Sequence, residues 1–381
     1  MRVLFVAPNL PWPLDAGGRI RSYQLLRELS KVHEISLWVV GSESTRDEHV
    51  AKIAQVTSEV RIFPPARRSL LGQLSGPVQE GWFYSKELEQ ELCSDKLAGQ
   101  FDLIHLDELC QVRSLGRVPK VPAIIHHHKL DLELAQALRK EGASQELEVK
   151  RWRNMERQGA SSALLHVFCC EEDANRFRER NPGVETVVVE SGVDPVYFQA
   201  QGLVRETNQL LFLGSLDYEP NTRGLDHFLT LHWKAVRLAH PELELLIVGR
   251  GAKEECWKDP LQGVRWIGAV NDVRPWLAQA TALLVPLEIG GGTRLKIVEA
   301  ASMACPIIST EIGASGLGMR PEVHFFAAKQ LSDLPRAIDC GLDSKENREL
   351  RAQAARRRTL DNYSWSKLAA RLGGAWVQAA T

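Results

Sequence analysis

Short apolar runs alternate with longer amphipathic stretches along almost the whole chain. In the first half, runs at 3–7, 35–40, 60–63, 103–106, 123–126, 164–169 and 187–190 predict strands. Helical patterns lie between them, at 19–31 and along the charged stretch 131–158. The second half repeats the scheme, with strands at 210–214, 243–248, 282–286 and 306–310 and helices at 225–239, 274–280 and 331–340. The strand runs are rich in Val, Ile and Leu and show no polar alternation. That is the signature of strands buried on both faces, as in parallel sheets with helical crossovers. The prediction is an α/β protein of two successive Rossmann-like, doubly wound units. Gly, Pro, Gln and charge interrupt the apolar pattern over 191–208, which sets the first domain at 1–195. Open α/β sheets bind ligands beyond the carboxyl ends of their strands, so the expected site is a cleft between the two domains.

Composition narrows the class. The chain has 381 residues, 44% hydrophobic and 25% charged, enough for two domains with real cores. A net charge of −1 argues against nucleic acid as the main partner. Basic clusters at Arg67-Arg68 and Arg356-Arg357-Arg358 read either as solvated helix faces or as a peripheral membrane contact. The seven cysteines (93, 110, 169, 170, 256, 305 and 340) are odd in number and form no C-x-x-C; most sit in apolar runs. They read as buried reduced thiols, not disulfides or a zinc site. The apolar N-terminal run is too short for a signal peptide and reads as a first strand. No stretch of 18 apolar residues occurs. The expected location is cytoplasmic, with the inner membrane face as an option.

The most informative segment is Gly290-Gly291-Gly292-Thr293-Arg294-Leu295-Lys296. It follows a strand pattern and opens a helical one. Three glycines let backbone approach a ligand, and the helix N-terminus adds about half a positive charge. Arg294 and Lys296 add whole charges, and Glu299 lies one turn further on, an acceptor for sugar hydroxyls. The combination suits a diphosphate joined to sugars. Gly17-Gly18, in the loop after the first strand, opens another helix carrying Arg19 and Arg21. Alone it reads as a turn; beside the triple glycine it reads as a second phosphate loop. The triple glycine is not a Walker loop, since G-x-x-x-x-G-K-[ST] is absent, and no G-x-G-x-x-G follows the first strand, which weighs against a dinucleotide dehydrogenase.

His126-His127-His128 ends a strand pattern, where side chains point alternately, so the three cannot ligate one metal. Each is either a core histidine or a group that holds a sugar hydroxyl or takes a proton. Glu171-Glu172-Asp173 opens a helix and is explained by its dipole alone. Glu288, just before the triple glycine, either binds substrate or accepts N–H bonds from the loop.

At these residues the chain resembles the GT-B glycosyltransferases of family 4, most closely the bacterial branch that builds exopolysaccharide and cell-surface glycans. The resemblance runs through Pro11-Trp12-Pro13-Leu14-Asp15, Gly17-Gly18-Arg19, Glu171-Glu172-Asp173-Ala174 and Gly192-Val193-Asp194. It continues in Phe212-Leu213-Gly214-Ser215, Asp217-Tyr218, Pro220-Asn221, 290–299, and Thr310 with Gly313-Ala314-Ser315-Gly316-Leu317. It implies a retaining transfer from a nucleoside-diphosphate sugar to a hydroxyl of a glycan, lipid-linked or small-molecule acceptor, with no metal or other cofactor. It further implies a first domain on the acceptor side, a donor domain at 196–360, and a last helix, within 361–381, that crosses back to the first domain. His128, Arg294 and Lys296 take the catalytic roles. Gly17, Gly18, Gly214, Ser215, Glu288, Gly291, Gly292, Thr293, Leu295 and Glu299 bind the donor.

Two departures stand out. The family pairs two glutamates as E-x7-E, and Gly291 occupies the place of the first. The family's Arg and Lys after the first strand of the donor domain are absent; Ser215, Asn221 and Arg223 stand nearby. Phosphate neutralisation therefore falls to Arg294 and Lys296. An epimerase or phosphorylase on the same frame, or a non-catalytic sugar-nucleotide binder, are the competing readings. The acceptor loop at 64–82, with Arg67, Arg68, Leu70, Leu71 and Leu74, carries no readable code.

Overall fold

The structure is a computed structural model that describes residues 1–381 except 42–45, 70–71, 73–75, 117–120, 139–142, 200–204, 206–207 and 252–261; of residues 143 and 144 only the backbone is described. Leu70, Leu71, Leu74 and Cys256 lie outside the described residues. The chain forms two compact units, Met1–Glu190 with Trp365–Thr381, and Ser191–Ser364.

The first unit is built on a seven-stranded sheet of β1 (Arg2–Ala7), β2 (Glu34–Val40), β3 (Glu59–Phe63), β4 (Leu103–Leu106), β5 (Ala123–His127), β6 (Leu165–Phe168) and β7 (Thr186–Val188). Its order is β3-β2-β1-β4-β5-β6-β7, and every pairing is parallel. The second unit holds a six-stranded parallel sheet of β8 (Gln209–Leu213), β9 (Glu244–Val248), β10 (Val264–Gly268), β11 (Ala282–Val285), β12 (Ile307–Thr310) and β13 (Phe326–Ala328). Its order is β10-β9-β8-β11-β12-β13. Strand order therefore reverses between β1 and β4 in one sheet and between β8 and β11 in the other. These are the switch points at which diverging crossovers leave a crevice past the strand ends.

Both sheets bury both faces, which explains the unalternating strand sequences. β4 and β11 are buried at every residue. In the second unit one apolar cluster, with Leu211, Val285 and Ile297, fills one side of the sheet; another, with Phe212, Phe228 and Trp233, fills the other. Two strands escape the sequence pattern. β10 is an edge strand with Arg265 exposed, and β13 has only three residues. The helical pattern 225–239 divides at His232 into helices Glu219–Leu231 and Trp233–Ala239, and 131–158 is occupied by helices Asp131–Ala137 and Ala143–Ser162.

Helix Trp365–Ala380 belongs to the first unit, where it packs on helix Gly17–Leu29 and on β4 and β5. Trp376 is fully buried there. Among the described residues no helix is long and apolar enough to cross a membrane. Among the described residues, six cysteines are free thiols, four of them buried, and Cys93 and Cys340 are exposed.

Candidate functional site

Each switch point carries a cluster of polar side chains. In the second unit, β8 ends at Leu213 and leads into Gly214, and β11 leads through Pro286 into the glycine loop. Gly290 and Gly292 adopt φ of +140° and +70°, so the loop bends where a Cβ would be strained. Helix Leu295–Ser302 then begins. The N–H groups of Ile297 and Val298 reach Arg294 O at 3.0 and 3.4 Å. Those of Leu295 and Lys296 have no partner among the described residues, which leaves two donors at the positive end of the helix.

The two loop cations do different work. Arg294 turns inward and is 8% exposed. Its guanidinium donates to Gly291 O (3.0 Å), to Gly292 O and to Ile312 O (3.1 Å). It therefore ties the glycine loop to the segment after β12. Lys296 is half-buried. Its Nζ donates to Asn221 Oδ1 at 2.9 Å and stands 5.0 Å from the centre of the Phe212 ring. Asn221 Nδ2 in turn donates to Ser215 O at 2.8 Å. A Cβ on Gly214 would lie 2.8 Å from both Lys296 Nζ and Asn221 Nδ2, so the ammonium rests against bare backbone at the end of β8. Burial, together with the charge of Arg294, lowers the Lys296 ammonium to about 7. Burial raises the Glu299 carboxyl to about 7, with Lys296 acting in the opposite sense.

The remaining predicted residues surround this centre. Thr293 Oγ1 accepts from Ser191 N at 3.0 Å, so its hydroxyl proton stays available as a donor. Ser215 Oγ accepts from Asp217 N and Arg250 Nε, each at 3.2 Å. Glu288 accepts from His227 Nδ1 at 2.6 Å and lies 3.9 Å from Arg223 Nε. That places Arg223, read from the sequence as a phosphate substitute, beside a carboxylate.

In the first unit, β1 leads into the loop that ends at Gly17-Gly18, β4 into Asp107 and β5 into His128. His128 Nε2 lies 2.9 Å from Asp107 Oδ1, and a Cβ on Gly18 would stand 3.3 Å from His128 Nδ1. The three histidines alternate as a strand requires. His126 joins His128 around Asp107, whereas His127 stacks on Phe168 at 4.6 Å and meets His166 at 3.0 Å in the core. Burial pushes the imidazoles of His126, His127 and His166 well down. His105, Asp107 and His126 also form a buried group with potential metal-ligand atoms. Arg21, which from the sequence shares a first turn with Arg19, is buried and donates to His126. Sequence reasoning passed over Asp107 and Glu108. Their one signal was position, directly after a buried strand run at residues 103–106.

The basic clusters are mostly engaged. Arg68 donates to Glu80 at 2.7 Å and stacks over Tyr84 at 3.8 Å. Arg356 and Arg358 cap backbone carbonyls of Ser302 and Leu317 at 3.0 Å, leaving Arg357 as the solvated member of its run.

Residues 207–338, all in the second unit, match the family model described as Glycosyl transferases group 1. The chain is similar to the phosphatidyl-myo-inositol mannosyltransferase of Propionibacterium freudenreichii subsp. shermanii, with 23% identity over 355 residues covering 88% of this chain and 84% of that protein. Among solved structures it resembles the sucrose-phosphate synthase of Thermosynechococcus elongatus, at TM-score 0.73 and 15% identity over 99% of this chain and 98% of that one. It also resembles Anabaena HepE in complex with UDP-glucose, at TM-score 0.72 and 14% identity over 99% and 100%. The fold is GT-B. The family match and the names of the relatives support a glycosyltransferase.

Proposed function

We propose that the protein is a retaining glycosyltransferase that moves a sugar from a nucleoside-diphosphate sugar to a hydroxyl of a glycan or lipid-linked acceptor. The observation that carries this reading is Lys296. Its ammonium rests on bare backbone at Gly214, beside two N–H groups of its own helix that have no partner among the described residues, at a switch point. Such a place suits a group whose negative charge grows during reaction. As the glycosidic bond breaks, the leaving diphosphate gains charge, and Lys296, the Leu295 and Lys296 N–H groups and the helix terminus stabilise it. Arg294 holds Gly291 and Gly292 in shape for that contact, and Thr293 offers its hydroxyl. Glu299 accepts from ribose hydroxyls, and Ser215 from the nucleotide. Because Lys296 and the helix supply positive charge, the reading needs no metal.

From the first unit, His128, Gly17 and Gly18 take the roles that the family resemblance implies, at the donor sugar and its diphosphate. The departing phosphate oxygen takes the acceptor's proton, giving same-face substitution, as in that family. Glu288, aligned by His227, stands in for the glutamate replaced by Gly291. The location is cytoplasmic. A lipid-linked acceptor is supported by the name of the mannosyltransferase relative, and such an acceptor would place the reaction at the inner membrane face.

A product assay tests the reading. With a panel of nucleoside-diphosphate sugars and polyprenyl- or inositol-lipid acceptors, nucleoside diphosphate release must depend on the acceptor and leave an α-linked product from an α-linked donor. Inversion at the anomeric carbon contradicts retention. Bound donor that is never turned over contradicts the activity.

A further inference from the structure

Asp107 is 2% exposed, and three imidazoles converge on one of its oxygens. His128 Nε2 lies 2.9 Å from Oδ1, His126 Nδ1 3.6 Å and His105 Nε2 3.8 Å. Ser22 Oγ donates to Oδ2. His126 Nδ1 and His105 Nε2 are buried and, among the described residues, have no closer hydrogen-bond partner than this carboxylate. Such a cluster is either a metal site or a carboxylate held by N–H donors, and the two differ in where the imidazole protons sit.

The outer partners decide. Arg21 reaches His126 Nε2 with Nη2 at 2.7 Å and Nε at 3.2 Å. A guanidinium has no acceptor, so His126 Nε2 holds the lone pair and Nδ1 the proton. Trp376 Nε1 lies 2.9 Å from His105 Nδ1. An indole N–H only donates, so His105 carries its proton on Nε2. Burial keeps both rings neutral. Both nitrogens turned toward Asp107 therefore bear hydrogen and offer no lone pair to a metal. Burial alone would raise the Asp107 carboxyl, but His128, His105 and His126 around it hold it well below the usual range, and it is ionised.

We propose that Asp107 is a positioning residue for His128: it keeps the His128 proton on Nε2, so that the unprotonated Nδ1 is presented beside Gly18 as an acceptor for a donor-sugar hydroxyl. Arg21 and Trp376 set the tautomers of the cage from outside. The chain stores strain immediately after this carboxylate. Glu108 adopts φ 152° and ψ 151°, a region that a side-chain-bearing residue rarely occupies. Its Oε1 stands 3.7 Å from His128 Nδ1, outside hydrogen-bond distance, and its Oε2 3.8 Å from Lys129 Nζ. The role given to Nδ1 rests on the proposed sugar transfer; the tautomer does not.

Imidazole 15N NMR of the full, histidine-labelled chain tests the cage. His128 is expected to show a pyrrole-type Nε2 and a pyridine-type Nδ1. Asp107→Asn is isosteric and should move the proton toward Nδ1. It should lower kcat for transfer about 10-fold or more, the scale of losing an oriented polar contact, and leave nucleoside diphosphate affinity within about twofold. A wild-type His128 protonated on Nδ1 overturns the proposal. So does an unchanged His128 pattern in Asp107→Asn, or a visible d–d band on adding Co2+ that Asp107→Asn abolishes. The wild-type spectrum decides even if the variant fails to fold. If Asp107→Asn moves the proton but His128→Ala turns over normally, the cage stands and the sugar-binding reading of His128 falls.

Discussion

Lys296 and Arg294 look equivalent in a one-dimensional reading: two cations flanking Leu295 after three glycines. Their surroundings separate them, because Arg294 at the helix cap turns to three carbonyls while Lys296, two residues on, turns to Gly214 and Asn221. The depressed Lys296 pKa has a signed consequence. Between about 7 and its ordinary 10.5 the unfolded chain binds a proton there that the folded chain does not, so this group makes stability rise with pH over that window. Glu299, raised from 4.5 to about 7, does the reverse between those values, and the pair is least favourable to the free protein near pH 7. A bound diphosphate favours the charged ammonium. Nucleoside diphosphate affinity should therefore rise as pH falls from about 9 toward 7, by up to about tenfold per unit, with proton uptake measurable by calorimetry in buffers of different ionisation enthalpy. Lys296→Met should lose both the affinity and the slope. A flat profile without proton uptake would contradict the role given to Lys296. Little of this was legible beforehand. Adjacent cations at a glycine loop reveal charge but not direction, and a single Asp after a short strand, as at Asp107, makes no pattern at all.

At the scale of elements, the strands that define the sheets were readable because burial on both faces demands unbroken apolar runs. Those that escaped, β10 and β13, are half-exposed or very short, so neither needs such a run. Helix ends were less legible than helix existence. The pattern 225–239 stays amphipathic across the break at His232, because both helices bury the same kind of face. The glycine loop shows why an element's shape can depend on one side chain. Arg294→Ala removes the donors to Gly291, Gly292 and Ile312, and a buried acceptor left without a donor costs about 1–3 kcal/mol. The variant should lose roughly 2 kcal/mol or more in chemical denaturation, and Arg294→Lys should recover little, since one ammonium cannot span three carbonyls. A change within about 0.5 kcal/mol would remove Arg294 from that structural role.

For the whole molecule, the doubly wound scheme follows from alternation of strand and helix patterns alone, and the solved neighbours share the complete fold. The first unit is discontinuous in sequence: its sheet is laid down by residue 190, yet helix Trp365–Ala380 completes its core. Trp376, fully buried against His33 and donating to His105, links that helix to the histidine cage. Trp376→Ala should cost about 3–5 kcal/mol, read as a lower denaturation midpoint reported by first-unit probes. A loss under about 1 kcal/mol would mean that the helix is not part of the first unit's core. No sequence signal links Trp376 to His105, because the contact spans 271 positions and depends on the chain's return.

If the second switch point seats a nucleoside diphosphate, a thermal-shift panel of nucleoside diphosphates on the wild type and on Gly214→Ala will reveal it. At about 100 times its dissociation constant, the cognate nucleotide should stabilise the wild type by roughly 2.7 kcal/mol. Gly214→Ala, whose new methyl would meet Lys296 Nζ and Asn221 Nδ2 at 2.8 Å, should lose most of that response. No shift in the wild type with any nucleoside diphosphate, or an undiminished shift in Gly214→Ala, would contradict it.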